Sequence, residues 1–106
     1  MLICMAPPRP YRPVFRAFDR IIFDQGKSDM VYDERDFDLA YVSRIFPGFV
    51  LEREDNRPYG ETRYRAIGEL PGEVYIVVYT RSGRTCRLIT AWVADPEDRE
   101  LWYDFR

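Results

Sequence analysis

The sequence predicts an α+β fold: an antiparallel sheet of about four strands, with N-terminal helices and a C-terminal helix packed on it. Three observations carry this. The runs "ETRYRAIGEL" (61–70), "VYIVVYTR" (74–81) and "TCRLITAWV" (85–93) follow one another through "PGE" and "SGR". Links that short, each with a glycine, are what antiparallel hairpins need. A helical run precedes these strands, and "DPEDRELWYDF" (95–105) closes the chain as a second helix. Strand, helical region, strands and helix in that order place helices on one antiparallel sheet.

Taken in order, residues 1–18 form a proline-containing extension ahead of a single domain at 19–106. Prolines 7, 10 and 13 permit a polyproline II stretch, and "PPRP" gives a formal P-x-x-P motif. A surface-draped extension accounts for the same residues. "RIIFD" (20–24) reads as a short first strand, and "QGKSDMVYDER" (25–35) as ambiguous. "FDLAYVSRIF" (37–46) repeats its apolar residues every three or four positions and predicts a helix, which "PG" stops. "FVLERE" (49–54) alternates as a strand does, and "DNRPYG" (55–60) is a turn-rich loop. "VYIVVYT" is apolar on both faces, which predicts the central strand. In the last helix Asp95 is the N-cap, Pro96 the first helical residue, and acids fill the first turn. Leu101, Trp102 and Phe105 supply its apolar stripe.

Composition narrows the function. With 46% hydrophobic and 32% charged residues in 106, the chain is balanced like a globular domain. Eight tyrosines, seven phenylalanines and two tryptophans bury much area in a small core. The net charge of −2 argues against a broad nucleic-acid-binding surface, though not against a local cationic cleft. Lys27 is the single lysine beside fifteen arginines. Arginine is the better planar fork for phosphate, although base composition of the gene gives the same bias. The chain has no histidine and no C-x-x-C pair, so no zinc site and no cofactor are expected. Cys4 and Cys86, standing alone, fit a reducing cytoplasm. "MLICMAPP" is too short an apolar run for a signal peptide, and no run is long enough to span a bilayer.

The chemistry-bearing stretch is "GETRYRAIG" (60–68). Glu61, Arg63 and Arg65 stand two apart, so a strand puts all three on one face. Cleavage of RNA by its own 2′-hydroxyl needs a base for the hydroxyl proton and cations for the crowded phosphate. Without histidine, a carboxylate flanked by arginines offers both. Tyr79 and Arg81 at the end of the central strand, Arg84 in the next turn and Arg87 early in the last strand add candidates. Tyr79 or Tyr64 offers a proton or a stacking face. Which of them share the face of Glu61 depends on strand register. The same spacing also fits cross-strand ion pairs on a wet surface. "DERDFD" (33–38) gathers carboxylates without the pattern of a calcium loop and reads as a solvated face or a docking surface for a basic partner. Cys86 reads as a small buried residue, with a reactive thiol as the alternative.

About residues 20–105 resemble the BrnT family, the toxin half of bacterial type II toxin–antitoxin pairs, related in fold to RelE-type ribonucleases. The likeness runs through "IIFDQGK", with Asp24 and Lys27, then "FDLAYVSRIF", "YGETRYRAIG" and "VVYTRSGRTCRLITA". It ends in an acid-rich helix holding Glu100 and Tyr103. The resemblance implies a metal-independent endoribonuclease that arrests growth by cutting mRNA. It implies neutralisation by a small antitoxin of ribbon-helix-helix type, in a homo- or hetero-oligomer, with no membrane partner. By this likeness Glu61, Arg63 and Arg87 take the catalytic positions and Lys27 one for binding RNA, beside Arg65, Tyr79, Arg81 and Arg84, which the strand reading adds as RNA-binding candidates. The sequence departs from the family in "ERDF", where Glu34 and Arg35 replace a Lys and a His, and at Trp92 and Val93, which replace a basic pair. Fewer cations weaken phosphate binding. The alternative is therefore a non-catalytic protein-binding module on the same fold: a silenced toxin, an antitoxin decoy or an inhibitor of another protein.

Overall fold

A computed structural model describes residues 10–55 and 60–106. Cys4, the first prolines of the P-x-x-P motif and the body of the "DNRPYG" loop lie outside the described residues. The elements are β1 (Arg12–Arg16), β2 (Arg20–Phe23), α1 (Gln25–Arg35), α2 (Leu39–Val42) with a 3-10 turn (Ser43–Ile45), β3 (Gly48–Asp55), β4 (Arg63–Leu70), β5 (Glu73–Ser82), β6 (Thr85–Val93) and α3 (Pro96–Phe105).

The fold class is α+β, but the sheet differs from the expected four antiparallel strands. It has six strands in the order β1-β3-β4-β5-β6-β2. It is mixed, because β2 runs parallel to β6 while the other pairs are antiparallel. The additional strand is β1, drawn from the segment expected to be an extension and paired with β3 from Arg12↔Glu52 to Arg16↔Gly48. Pro13 lacks an amide donor, and an edge strand tolerates that loss.

The helical region also differs. The ambiguous "QGKSDMVYDER" is α1, opened by Asp24, whose side chain accepts from the Lys27 amide at 2.9 Å. It closes on Asp36 at φ 63°, a left-handed position that Asp tolerates better than most side chains. Only Leu39–Val42 of the expected helix 37–46 is α-helical. Asp38 starts it late by accepting from the Tyr41 amide at 2.8 Å. Pro47 ends it early, since the residue before a proline is pushed to extended backbone, as Phe46 is at φ −106°, ψ 141°.

The sheet buries both faces. On one, Leu39, Val42, Ile45 and Phe46 from the helical region meet Val50, Ala66, Val77, Tyr79 and Leu88. Gly68 permits this approach: a Cβ there would lie 2.9 Å from the Ile45 side chain. On the other face, Trp102 of α3 meets Leu51, Ile67, Val74 and Ile76, and its indole Nε1 donates to Glu69 Oε1 at 2.8 Å. The helices thus sit on opposite faces rather than together. α3 docks through Trp102, whereas Leu101 and Phe105 of its expected stripe remain exposed. It covers only part of its face, leaving the ends of β3, β4, β5 and β6 open beyond the Leu51–Ile67–Ile76–Trp92 row.

Candidate active site

The open part of the α3 face is lined by arginines. Register alone nearly assembles it. Asp55 pairs with Arg63 across β3–β4, and continuing the β4–β5 register by one residue puts Arg63 opposite Thr80. Thr80 in turn pairs with Arg87. The last step depends on a bulge. Val78 pairs with Thr90 but Tyr79 pairs with Leu88, so β6 carries Ile89 as an extra residue. Strict alternation from Thr90 would send Arg87 to the opposite face. The extra residue turns it back beside Thr80, the kind of re-aiming that bulges perform.

Glu61 precedes β4 rather than belonging to it, a correction to the expectation of one continuous strand. Its side chain nevertheless reaches this row. Glu61 Oε1 and Oε2 accept from Arg87 Nη2 at 2.9 and 3.0 Å, and Oε1 lies 3.4 Å from Arg63 Nε. The three residues therefore meet. Glu61 and Arg87 are two-fifths exposed and Arg63 one-fifth, so the cluster opens to solvent while keeping its geometry. Arg65 lies on the same face one row nearer α3, with its guanidinium 5.0 Å from the Trp92 ring centre.

The remaining expected residues go elsewhere. Tyr79 is wholly buried on the opposite face and its hydroxyl donates to Glu52, so it offers neither ring nor proton to Glu61. Arg81 shares that opposite face, 3.5 Å from Glu52 and stacked 4.0 Å over the Tyr64 ring. Tyr64 is thereby removed from the Glu61 cluster as well. Arg84 forms an exposed pair with Asp19 at 2.6 Å. Lys27, in the first turn of α1, lines a groove of about 330 Å³ with Met30, Glu34 and Ile89. Among the described residues, no three His, Cys, Asp or Glu side chains gather as metal ligands would.

Sequence reasoning missed the polar centre behind the sheet. Glu52 is 2% exposed. It accepts from Arg16 Nε at 2.9 Å and Nη2 at 2.7 Å, and from the Tyr79 hydroxyl. Burial pushes its carboxyl up, but the hydrogen bonds from Arg16 and Tyr79 and the charges of Arg16 and Arg81 outweigh this and hold it below the usual range. Burial and the neighbouring Glu52 raise the Tyr79 hydroxyl far above its ordinary value and push the Cys86 thiol up to about 12. The alternation of "FVLERE" did place Glu52 on one face with Val50. It could not show that the face was the buried one.

A family model described as the ribonuclease toxin BrnT of type II toxin–antitoxin systems matches residues 23–98, well over half of the chain. The chain belongs to the BrnT family. Membership implies a ribonuclease toxin with an RNA target and an antitoxin partner. The matched span contains the whole Glu61–Arg63–Arg87 cluster and all of β3 to β6. No curated protein matches the chain. No helix among the described residues is long and apolar enough to cross a membrane.

Proposed function

We propose that this BrnT-family protein is a bacterial, cytoplasmic endoribonuclease that cleaves RNA without a metal, at the cluster of Glu61, Arg63 and Arg87. Glu61 takes the proton from a 2′-hydroxyl, and the freed oxygen attacks the adjacent phosphorus. Arg63 and Arg87 hold the phosphate oxygens as negative charge builds on them. The 5′-oxygen leaves with a proton from solvent, giving a 2′,3′-cyclic phosphate and a 5′-hydroxyl end. One observation carries the reading: the Glu61 carboxylate lies between two guanidinium groups on an open surface. A phosphate entering there exchanges with the carboxylate for the same donors, which frees Glu61 to act as a base.

The antitoxin is read as a small ribbon-helix-helix protein. The acids of α1 and of the following turn, Asp29, Asp33, Asp36 and Asp38, line two adjoining hollows with Tyr32 and suit a basic partner. A second reading, a silenced toxin that only binds protein, is favoured by Arg81 and Arg84, whose charges are taken up by Glu52 and Asp19. Induced expression of the wild type and of Glu61→Gln separates the two. Loss of colonies with the wild type alone supports the nuclease. Equal survival of both supports the silenced toxin.

A further inference from the structure

We infer that Trp92 and Arg65 form a nucleobase-stacking subsite beside the phosphate-binding cluster, an inference that rests on the ribonuclease reading above. Arg65 follows Arg63 by two residues on β4, so the two side chains leave the same face about 7 Å apart along the strand. The Arg65 guanidinium lies 5.0 Å over the half-buried Trp92 indole. Its side chain makes no hydrogen bond or ion pair among the described residues, and its Nε is buried without a partner. On the other side, the Arg53 guanidinium stacks 4.9 Å over Tyr11. Across the face, then, one row of ion-paired arginines lies beside one row of arginines stacked on aromatics.

The two rows suit different parts of a nucleotide. Arg63 and Arg87 present donors in the fork that suits a phosphate. The second row presents flat surfaces, and both planar guanidinium groups and aromatic rings stack on unpaired bases. Its boundary is acidic. Asp98, in the first turn of α3, is close enough to Arg53 and Arg65 for their charges to act on its carboxyl. A carboxylate there repels a phosphate and accepts hydrogen bonds from base amino groups. The sugar–phosphate chain therefore follows the Glu61 row while the base beside the cleaved bond turns toward Arg65. Trp92 offers a stacking surface rather than a charge, so the ligand is single-stranded RNA with its bases unpaired.

The test uses the full chain and a short 2′-O-methyl oligonucleotide, which lacks the attacking hydroxyl. An abasic chain with the same number of phosphates is the control. Trp102 is 7% exposed, so a change in tryptophan emission reports Trp92. The base-bearing chain is expected to quench emission and to bind about tenfold tighter than the abasic one, the scale of one base stack. Trp92→Leu removes that difference and leaves abasic binding unchanged. Arg65→Lys, which keeps the charge and loses the plane, also removes the difference between the two chains, on a folded surface should Trp92→Leu not fold. Equal affinity for both chains, no binding of either, or retained discrimination in both variants overturns the subsite. Base-dependent binding alongside RNA that the wild type leaves intact would instead overturn the nuclease reading and leave the subsite standing.

Discussion

Arg87 Nη2 donates to both carboxylate oxygens of Glu61, at 2.9 and 3.0 Å, across 26 residues of sequence. The contact links the segment before β4 to β6, and the β-bulge at Ile89 makes it possible. If Arg87 holds phosphate as well as Glu61, geometry matters more than charge. Arg87→Lys keeps the charge but loses the fork. RNA cleavage should then fall about 10²-fold, the scale of losing one oxyanion donor, while circular dichroism stays unchanged. Full activity in the lysine variant would show that charge alone suffices there.

The buried centre makes a stability prediction. Glu52 keeps its charge in the folded chain to a lower pH than in the unfolded one, where its value is near 4.5. The unfolded chain therefore takes up the proton first. The stability this carboxylate contributes is complete above that value and is lost as pH falls through the depressed folded value. Urea unfolding of the wild type should weaken steeply below about pH 4.5. Glu52→Gln should flatten that dependence and cost about 3 kcal/mol at neutral pH, since it strands the guanidinium groups of Arg16 and Arg81.

Cys86 should be inert. It is wholly buried, with its thiol pushed up to about 12 by burial and by Glu52. In a Cys4→Ser background, a thiol reagent at pH 8 should react only after denaturant is added. Fast labelling of the native protein would mean that the β2–β6 edge opens readily.

Gly68→Ala should be destabilising by about 1–3 kcal/mol through overpacking, because the new methyl meets Ile45 at 2.9 Å. Ile45→Ala, which removes Cγ2 at 2.9 Å and Cδ1 at 3.2 Å, should cost less in the Gly68→Ala chain than alone. Thermal denaturation of the single and double variants measures both.

What the sequence revealed, and what it hid, follows from range. The hairpin strands β4 to β6 and the capped α3 announce themselves locally, through Gly72 and Gly83 in the turns and Asp95 and Pro96 at the cap. The "G-E-x-R" spacing marked Glu61 and Arg63 for the same reason. β1 is hidden because Pro13 within it and Pro10 before it read as a break, whereas its pairing with β3 is a tertiary contact. The parallel placement of β2 beside β6 is equally invisible to periodicity. Whether Tyr79 and Arg81 share the Glu61 face stays open in the sequence, because alternation fixes which residues of one strand share a face, not how neighbouring strands register. Arg87 joined the right cluster only through an extra residue in β6 that no local pattern marks.

The account rests on Glu61, Arg63 and Arg87 cutting RNA as one unit, and the ends of the cut RNA test this most directly. Purified protein incubated with single-stranded RNA in EDTA should leave 2′,3′-cyclic phosphate and 5′-hydroxyl ends. Glu61→Gln should reduce that cleavage by about 10²- to 10⁴-fold, as loss of a general base does, with thermal stability little changed because the pair is exposed. Intact RNA with the wild type, 5′-phosphate ends, or undiminished cleavage by Glu61→Gln would contradict it.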